Sequence, residues 1–289
     1  MLGRVFNRLM CAVVGSTLLI CFGQAEAEGG DEEWQFALTP YLWLPTIDGV
    51  LSYQEPPSGG GASGDGLNVN AGPTDWFDLL NFGLLVSGTA QKGRFSISSD
   101  FVYLSMTSKN EGQLNSVGDG SNPGVDLPIS GDLNLSTRTD LDGLQWSLTA
   151  GYALSQTETS TMDVFAGVRY FGLDVSTSWE LTAEITAPDG SVVLPAMGGV
   201  ATDTDIWDGI VGLRGEVGIG ESDWDFLYSF DVGAGDSDLS WNAFSGFGRE
   251  FGWGDLLIAY RHLEYDQDSS SLLQDFSFSG PLIGGRFRF

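Results

Sequence analysis

Leu144-Gln145-Trp146-Ser147-Leu148-Thr149-Ala150-Gly151-Tyr152-Ala153-Leu154 decides the fold. Larger apolar side chains hold the even positions and small or polar ones the odd positions, which is the period of two that a β-strand imposes. Residues 206–219 repeat the pattern: Trp207, Gly209, Val211, Leu213, Gly215, Val217 and Ile219 alternate with Asp208, Ile210, Gly212, Arg214, Glu216 and Gly218. Apolar residues nowhere keep helical spacing beyond a turn or two in the chain that follows the N-terminal segment. The fold class is therefore all-β.

A soluble sandwich would bury the apolar face. Here the opposite face carries Asp208, Arg214 and Glu216 among many glycines, and a packed core of that composition would be expensive to desolvate. The apolar face is expected to meet lipid and the charged face a lumen. Connections alternate in length. Short links near 91–94, 155–161, 220–223 and 251–254 separate long ones near 54–80, 109–136 and 178–203. This layout predicts a closed antiparallel transmembrane β-barrel with tight periplasmic turns and long extracellular loops. Ten strands are expected, at about 33–53, 82–91, 94–108, 138–154, 161–177, 204–219, 224–235, 238–250, 255–266 and 275–289. Each reaches the roughly 9–11 residues that a tilted strand needs to cross the hydrocarbon. Pro45 and the Asp48-Gly49 pair allow a hairpin there, which would raise the count to twelve. Trp34, Tyr41, Trp43, Trp76, Trp179, Trp207, Trp224, Trp241 and Trp253 fall near strand ends, where two interfacial girdles would place them.

The N-terminus carries an address. Arg4 and Arg8 precede an apolar or small run from Leu9 to Gly23, and Ala25-Glu26-Ala27 has the small-x-small pattern of a signal-peptidase site. Residues 1–27 read as a cleaved secretory signal and 28–289 as the barrel domain. Cys21 follows an apolar tripeptide, but Ile20 stands where a lipoprotein signal needs a small residue. Cleavage removes both cysteines, Cys11 and Cys21, so neither a disulfide nor a thiolate site is expected. It also removes two arginines and one glutamate, taking the net charge from −27 to −28. That charge repels phosphate and makes nucleic acid a poor partner.

The last strand, Ser277-Phe278-Ser279-Gly280-Pro281-Leu282-Ile283-Gly284-Gly285-Arg286-Phe287-Arg288-Phe289, ends in Phe289, with Phe287 and Gly284 behind it. It resembles the C-terminal signal by which outer-membrane proteins are recognised for barrel assembly, with Leu282 standing where a polar residue is usual. More widely the chain is similar to a family of uncharacterised Gram-negative outer-membrane barrel proteins. The matching segments include Pro40-Tyr41-Leu42-Trp43-Leu44-Pro45, Lys92-Gly93-Arg94-Phe95, Asp100-Phe101-Val102-Tyr103, Ala166-Gly167-Val168-Arg169-Tyr170, Trp207-Asp208-Gly209-Ile210-Val211-Gly212, Tyr260-Arg261 and Gly280-Pro281. The resemblance implies a barrel in the outer membrane, in contact with lipid and lipopolysaccharide and inserted by the barrel assembly machinery. It carries no catalytic residue.

No phosphate-binding loop, dinucleotide fingerprint or zinc-protease motif occurs, and one histidine excludes a multi-histidine metal site. No cofactor is expected. Gly235-Asp236-Ser237-Asp238-Leu239 approaches the Gly-Asp-Ser-Leu block of a hydrolase family but has Asp238 inserted, and it reads better as a tight extracellular turn. His262 is the one available imidazole. An omptin-like protease, whose histidine lies two residues beyond an aspartate, would need Asp where Tyr260 stands. In the register that sends Ile258 and Tyr260 to lipid, His262 and Glu264 also point outward.

Alternation places Asp100, Arg169, Asp208, Arg214, Glu216, Asp231, Arg261 and Arg286 inward. Mixed signs in one lumen suggest a paired network that fills it. A ten-stranded barrel leaves at most a narrow passage. The role expected is structural, or a narrow passive conduit, in a monomer. The alternatives are a rim-active enzyme, protease or lipid A hydrolase, and an adhesive barrel acting through its loops. Asp119, Asp126, Asp132, Asp189, Asp203, Asp205, Asp266 and Asp268 are candidates for divalent cations beside lipopolysaccharide, or simply a solvated rim.

Overall fold

The computed structural model describes residues 33–51, 67–117, 130–187, 190–267 and 273–289. The expected signal at 1–27 lies outside them. The chain forms β1 (Gln35–Trp43), β2 (Thr46–Leu51), β3 (Leu67–Ala71), a short helix α1 (Pro73–Phe77), and β4 (Leu80–Lys92). There follow β5 (Phe95–Val117), β6 (Ser130–Gln156), β7 (Ser160–Ala187), β8 (Gly190–Gly218), β9 (Trp224–Gly235), β10 (Leu239–Phe251), β11 (Gly254–Asp266) and β12 (Leu273–Arg288). Every pairing is antiparallel, each strand from β4 to β12 pairs with the next, and β1 pairs with both β4 and β12 to close the barrel.

Twelve strand segments make ten staves. β1 and β2 are one stave interrupted at Leu44-Pro45: β12 pairs with β1 through Leu282–Arg288 and with β2 through Leu273–Ser279. β3 and β4, joined through α1, are likewise one stave, pairing with β2 and β1 respectively. Asp48-Gly49 does not turn a hairpin. Asp48 sits within β2, opposite Ser277 on one side and Asn70 of β3 on the other. A backbone pair between Phe36 and Phe289 seals the seam at the end where the described residues begin and end, the terminal end of the barrel. The short links join strands at that same end, with Gly93 taking a positive φ of 55° between β4 and β5, a conformation glycine adopts without steric cost.

Two of the expected long loops are largely strand. The β5–β6 ladder runs without interruption from Phe95↔Tyr152 to Val117↔Ser130, and the β7–β8 ladder from Ser160↔Val217 to Ala187↔Gly190. The third expected loop contains β3 and α1. β7 has 28 residues and β10 has 13, a difference on the order of 50 Å of extended chain. β5 to β8 therefore rise as a four-stranded wall beyond the end of the barrel opposite the termini.

The outer surface of the barrel is apolar. Leu148, Tyr152, Leu154, Val168, Val211, Leu213, Ile258 and Ile283 are all exposed, while their alternates Thr149, Ala153, Arg169, Ile210 and Leu257 are buried. Aromatic rings gather at two levels. Phe251, Trp253 and Phe287 pack at the end bearing the termini, and Trp146, Tyr170 and Trp207 at the other. The ladder closes on itself and the outside is apolar, the build of an outer-membrane-type barrel. No helix among the described residues is long and apolar enough to span a membrane.

Above the upper aromatic level the faces exchange character. On the outside stand Asp140, Asp142, Asp174, Asp203 and Asp205; on the inside Leu104 and Leu173 pack against the core and Met106 is buried. Alternation continues in phase while the surrounding medium changes. This is why a period-two reading that follows lipid-facing greasiness ends the strands near 108, 138, 177 and 204.

Candidate functional site in the barrel lumen

All eight predicted lumen residues lie on the inward parity of their strands, in three tiers. In the middle tier Arg261 of β11 is the hub: Nη1 donates to Asp100 Oδ2 at 2.8 Å and to Tyr41 Oη at 3.4 Å, Nε to Asn242 Oδ1 at 2.9 Å, and Nη2 to Gln145 Oε1 at 3.2 Å. Its guanidinium also lies 4.9 Å from the ring centre of Trp43. Tyr41 Oη donates to Asp100 Oδ1 at 2.7 Å, and Asn242 Nδ2 donates to Asp231 Oδ2 at 2.9 Å. Asp231 is ion-paired with Arg169, and both side chains are 3% exposed. One hydrogen-bonded chain thus links β1, β5, β6, β7, β9, β10 and β11 across the lumen.

Nearer the termini, Arg286 Nη1 meets Glu216 at 2.6 Å and its Nε meets Asp255 at 2.5 Å, while Arg288 Nη2 reaches Asp255 at 2.7 Å. Arg214 donates to Ser98 Oγ at 2.9 Å and to Ser96 Oγ at 2.8 Å, lies 3.5 Å from Asp163, and covers the Phe165 ring. At the opposite end Asp208 accepts from Ser237, from its hydroxyl at 2.6 Å and its amide at 3.1 Å. The Gly-Asp-Ser segment is thereby the β9–β10 turn, tied to β8, and its Ser237 is buried.

Beyond Arg169 and Asp208, which face each other across the β7–β8 ladder, lies an apolar layer that sequence reasoning did not anticipate. Phe171, Tyr265, Phe276 and Phe278 stack with ring centres 4.9–5.8 Å apart, beside buried Ile206 and Leu263. Tyr41 and Trp43, expected in the girdle, face the lumen instead. Phe36, Leu38 and Leu42 hold the lipid face of β1, so its odd positions must point inward. Trp179 belongs to the wall, and the side chain of Trp76 lies outside the described residues. Asp163, Asp255 and Tyr265 share inward parity with predicted residues on their own strands, while Gln145 and Asn242 have the parity opposite to exposed Leu148 on β6 and exposed Phe247 on β10, so strict alternation would have found them.

Several buried donors in this region have no partner among the described residues: Gln145 Nε2, Arg169 Nε and Nη1, Ser240 Oγ and Tyr265 Oη. Such groups call for ordered water. His262 points outward as expected, with Nδ1 2.5 Å from Ser279 Oγ and Nε2 3.0 Å from Glu264. Its ring lies 4.3 Å from that of Trp241.

Of the acidic candidates, Asp203 joins Asp140, Asp142 and Asp174 around a hollow of about 180 Å³ on the outer face of the wall. Asp205 accepts from the Tyr170 hydroxyl close by. Asp132 lies on β6 and Asp266 at the end of β11, whereas Asp119, Asp126, Asp189 and Asp268 fall outside the described residues. Among the described residues no group of three or more metal-ligating side chains is placed to hold an ion. In the terminal strand Gly284 packs against Tyr41, Phe287 faces outward against Trp253, and Phe289 is exposed.

No protein-family model and no curated protein matches the chain. Solved structures with a similar outline are outer-membrane barrels. The outer membrane protease OmpT of Escherichia coli aligns over 91% of this chain and 99% of its own, with 10% identity and a TM-score of 0.47. The translocator domain of the autotransporter NalP of Neisseria meningitidis aligns over 99% and 95%, with 12% identity and a TM-score of 0.34. A FadL homologue of Pseudomonas aeruginosa aligns over 89% and 90%, with 10% identity and a TM-score of 0.28. These likenesses are loose, and the character of the barrel rests on its own geometry.

Proposed function

We propose that this chain is an outer-membrane barrel whose lumen is closed by its own side chains, and that it anchors the four-stranded wall on the cell surface. The observation that carries this is the Arg261 hub, with the ring layer of Phe171, Tyr265, Phe276 and Phe278 stacked beyond it. A solute crossing the lumen would have to break several buried charge-assisted bonds and part that layer, at the cost of leaving a guanidinium unpaired. Lipid and lipopolysaccharide are its surroundings, with divalent cations between their phosphates and the carboxylates of the wall. The barrel assembly machinery is its folding partner through Gly284, Phe287 and Phe289. It acts as a monomer.

Single-channel recording in planar bilayers tests the reading. The folded protein is expected to be silent, and Arg261→Ala to introduce leak. Discrete steps in the parent protein, abolished by Arg214→Ala, would replace the plug with a selective channel. A second reading, a conduit for water alone, is favoured by the unpartnered donors of Gln145, Arg169, Ser240 and Tyr265. Stopped-flow shrinkage of loaded vesicles separates it from a dry plug.

A further inference from the structure

Ser279, His262 and Glu264 stand on the lipid face of β12 and β11, where neither the plugged lumen nor the wall gives them a task. His262 and Ser279 are direct partners across the β11–β12 ladder, and Glu264 is two residues along the same strand and hence on the same face. The Glu264 carboxylate accepts from Nε2–H of the imidazole at 3.0 Å. With the proton on Nε2, the Nδ1 lone pair is left facing Ser279 Oγ at 2.5 Å. The hydroxyl therefore donates to Nδ1, and carboxylate, imidazole and hydroxyl form one oriented chain. This is the arrangement of an activated nucleophile, with a base beside it and a third group fixing the base. The Trp241 ring, tilted against the imidazole with centres 4.3 Å apart, limits its rotation.

The height of the trio on the barrel identifies what would meet it. Below His262 the outward residues of β11 are Tyr260 and Ile258, both about half exposed, and on β12 Ile283 is likewise exposed. Above it come Glu264 and Asp266, and on β12 Ser277 and Asp275. The boundary between apolar and polar surface crosses the barrel at Ser279 and His262. In a lipid that boundary is where acyl chains join the headgroup, at carboxylic ester bonds. The His262 side chain keeps 23% of its surface exposed, so the trio is open on the side facing lipid.

We propose that Ser279 and His262, positioned by Glu264, hydrolyse an acyl ester of an outer-leaflet lipid. Ser279 Oγ attacks the ester carbonyl carbon while its proton passes to His262 Nδ1. Collapse of the tetrahedral adduct breaks the bond to the lipid oxygen, which takes that proton and leaves as an alcohol. The acyl group stays on Oγ until a water, deprotonated by the same Nδ1, attacks it; the carboxylic acid departs and Oγ recovers its proton. Ester and water become acid and alcohol, and no other reactant is consumed.

The test uses the full chain folded in detergent and in phospholipid vesicles, with folding checked by the gel mobility of unheated samples. A fluorophosphonate probe forms an oxygen–phosphorus bond with an activated serine and expels fluoride. Mass spectrometry is expected to place the label on Ser279. Labelling and p-nitrophenyl octanoate hydrolysis are expected to fall about 100-fold or more in Ser279→Ala and in His262→Ala. Ser237→Ala should leave both unchanged. Glu264→Asp is expected to recover part of the rate that Glu264→Gln loses, which a purely structural carboxylate would not produce. A folded parent that takes up no probe and turns over no ester would overturn the proposal, as would label that survives Ser279→Ala. Either result would mean that the three side chains only satisfy one another at the interface.

Discussion

Arg261 shows how a barrel of this size makes its interior solid. A guanidinium offers five donors in a rigid fork, and four residues on β1, β5, β6 and β10 take them up. Removing the cation leaves Asp100, already shared with Tyr41, as a half-buried carboxylate without its counter-charge, and Asn242 and Gln145 without their donor. Arg261→Ala is therefore expected to cost about 3–5 kcal/mol of stability, read as a shift of the urea midpoint followed by tryptophan fluorescence. Arg261→Lys should rescue little of this, because a point-like ammonium cannot span Asn242 and Gln145 at once. An unshifted midpoint in Arg261→Ala would show that the network is not what holds the lumen.

Along a single strand the two faces respond to opposite rules. On β6 Leu148 is 40% exposed and Thr149 is 7% exposed, and Thr149 Oγ1 reaches the Ser98 carbonyl at 3.4 Å. Leu148→Arg places a charge in hydrocarbon, for about 2–4 kcal/mol near the midplane, and should block stable insertion into vesicles. Thr149→Arg adds its charge among hydrogen-bonding groups and should insert with a smaller loss. Equal yields from the two variants would contradict the assignment of faces.

The wall obeys a third rule, because its outer face meets water. Asp142, Asp174 and Asp203 lie directly opposite one another on β6, β7 and β8, and like charges so placed are destabilising. Burial, then the carboxylates of Asp203 and Asp142, push the Asp174 carboxyl above its ordinary value. For such a group the stabilising contribution is fully present below the ordinary carboxylate range and is lost as pH rises through the raised value. Asp140 behaves oppositely: hydrogen bonds from Arg138 and Thr107 bring its carboxyl down to about 2, so it stays ionised until the pH falls that far. The wall should consequently resist proteolysis better just below the ordinary carboxylate range, at about pH 3.5, than at neutral pH, and Asp174→Asn should remove most of that difference. A difference that persists in Asp174→Asn would place the pH response elsewhere.

For the molecule as a whole the decisive event is closure. β1 and β12, the first and last staves, must meet through Ala37↔Arg288, Tyr41↔Gly284 and their neighbours, and contacts of that sequence separation form late and slowly. A Cβ at Gly284 would stand 2.9 Å from Tyr41 Cβ and 3.1 Å from the Pro40 carbonyl oxygen. Gly284→Ala is thus expected to obstruct the seam and to appear as loss of the compact, heat-modifiable band. Gly88→Ala, at a position with no atom within 4 Å of an added Cβ, serves as the matched control and should fold normally.

The amino-acid order alone dictated the all-β class, a barrel of ten or twelve staves and the inward set from Asp100 to Arg286; the pairing of β2 with β12 and β3 decided for ten. Class, barrel and inward set follow from a period of two read against two media, and side-chain parity needs no knowledge of the partner strand. Parity does not say who meets whom. That Arg261 gathers Asp100, Tyr41, Asn242 and Gln145, that Trp43 lies under its guanidinium, and that His262 finds Ser279 depended on barrel curvature and inter-strand register, which bring together residues up to 220 positions apart. The wall was hidden for a different reason. Its strands keep their alternation but leave the lipid, so the greasy face turns inward and the polar face outward. Only the ladder pairing, which is fixed by backbone hydrogen bonds and not by hydrophobicity, reveals that β5 to β8 continue.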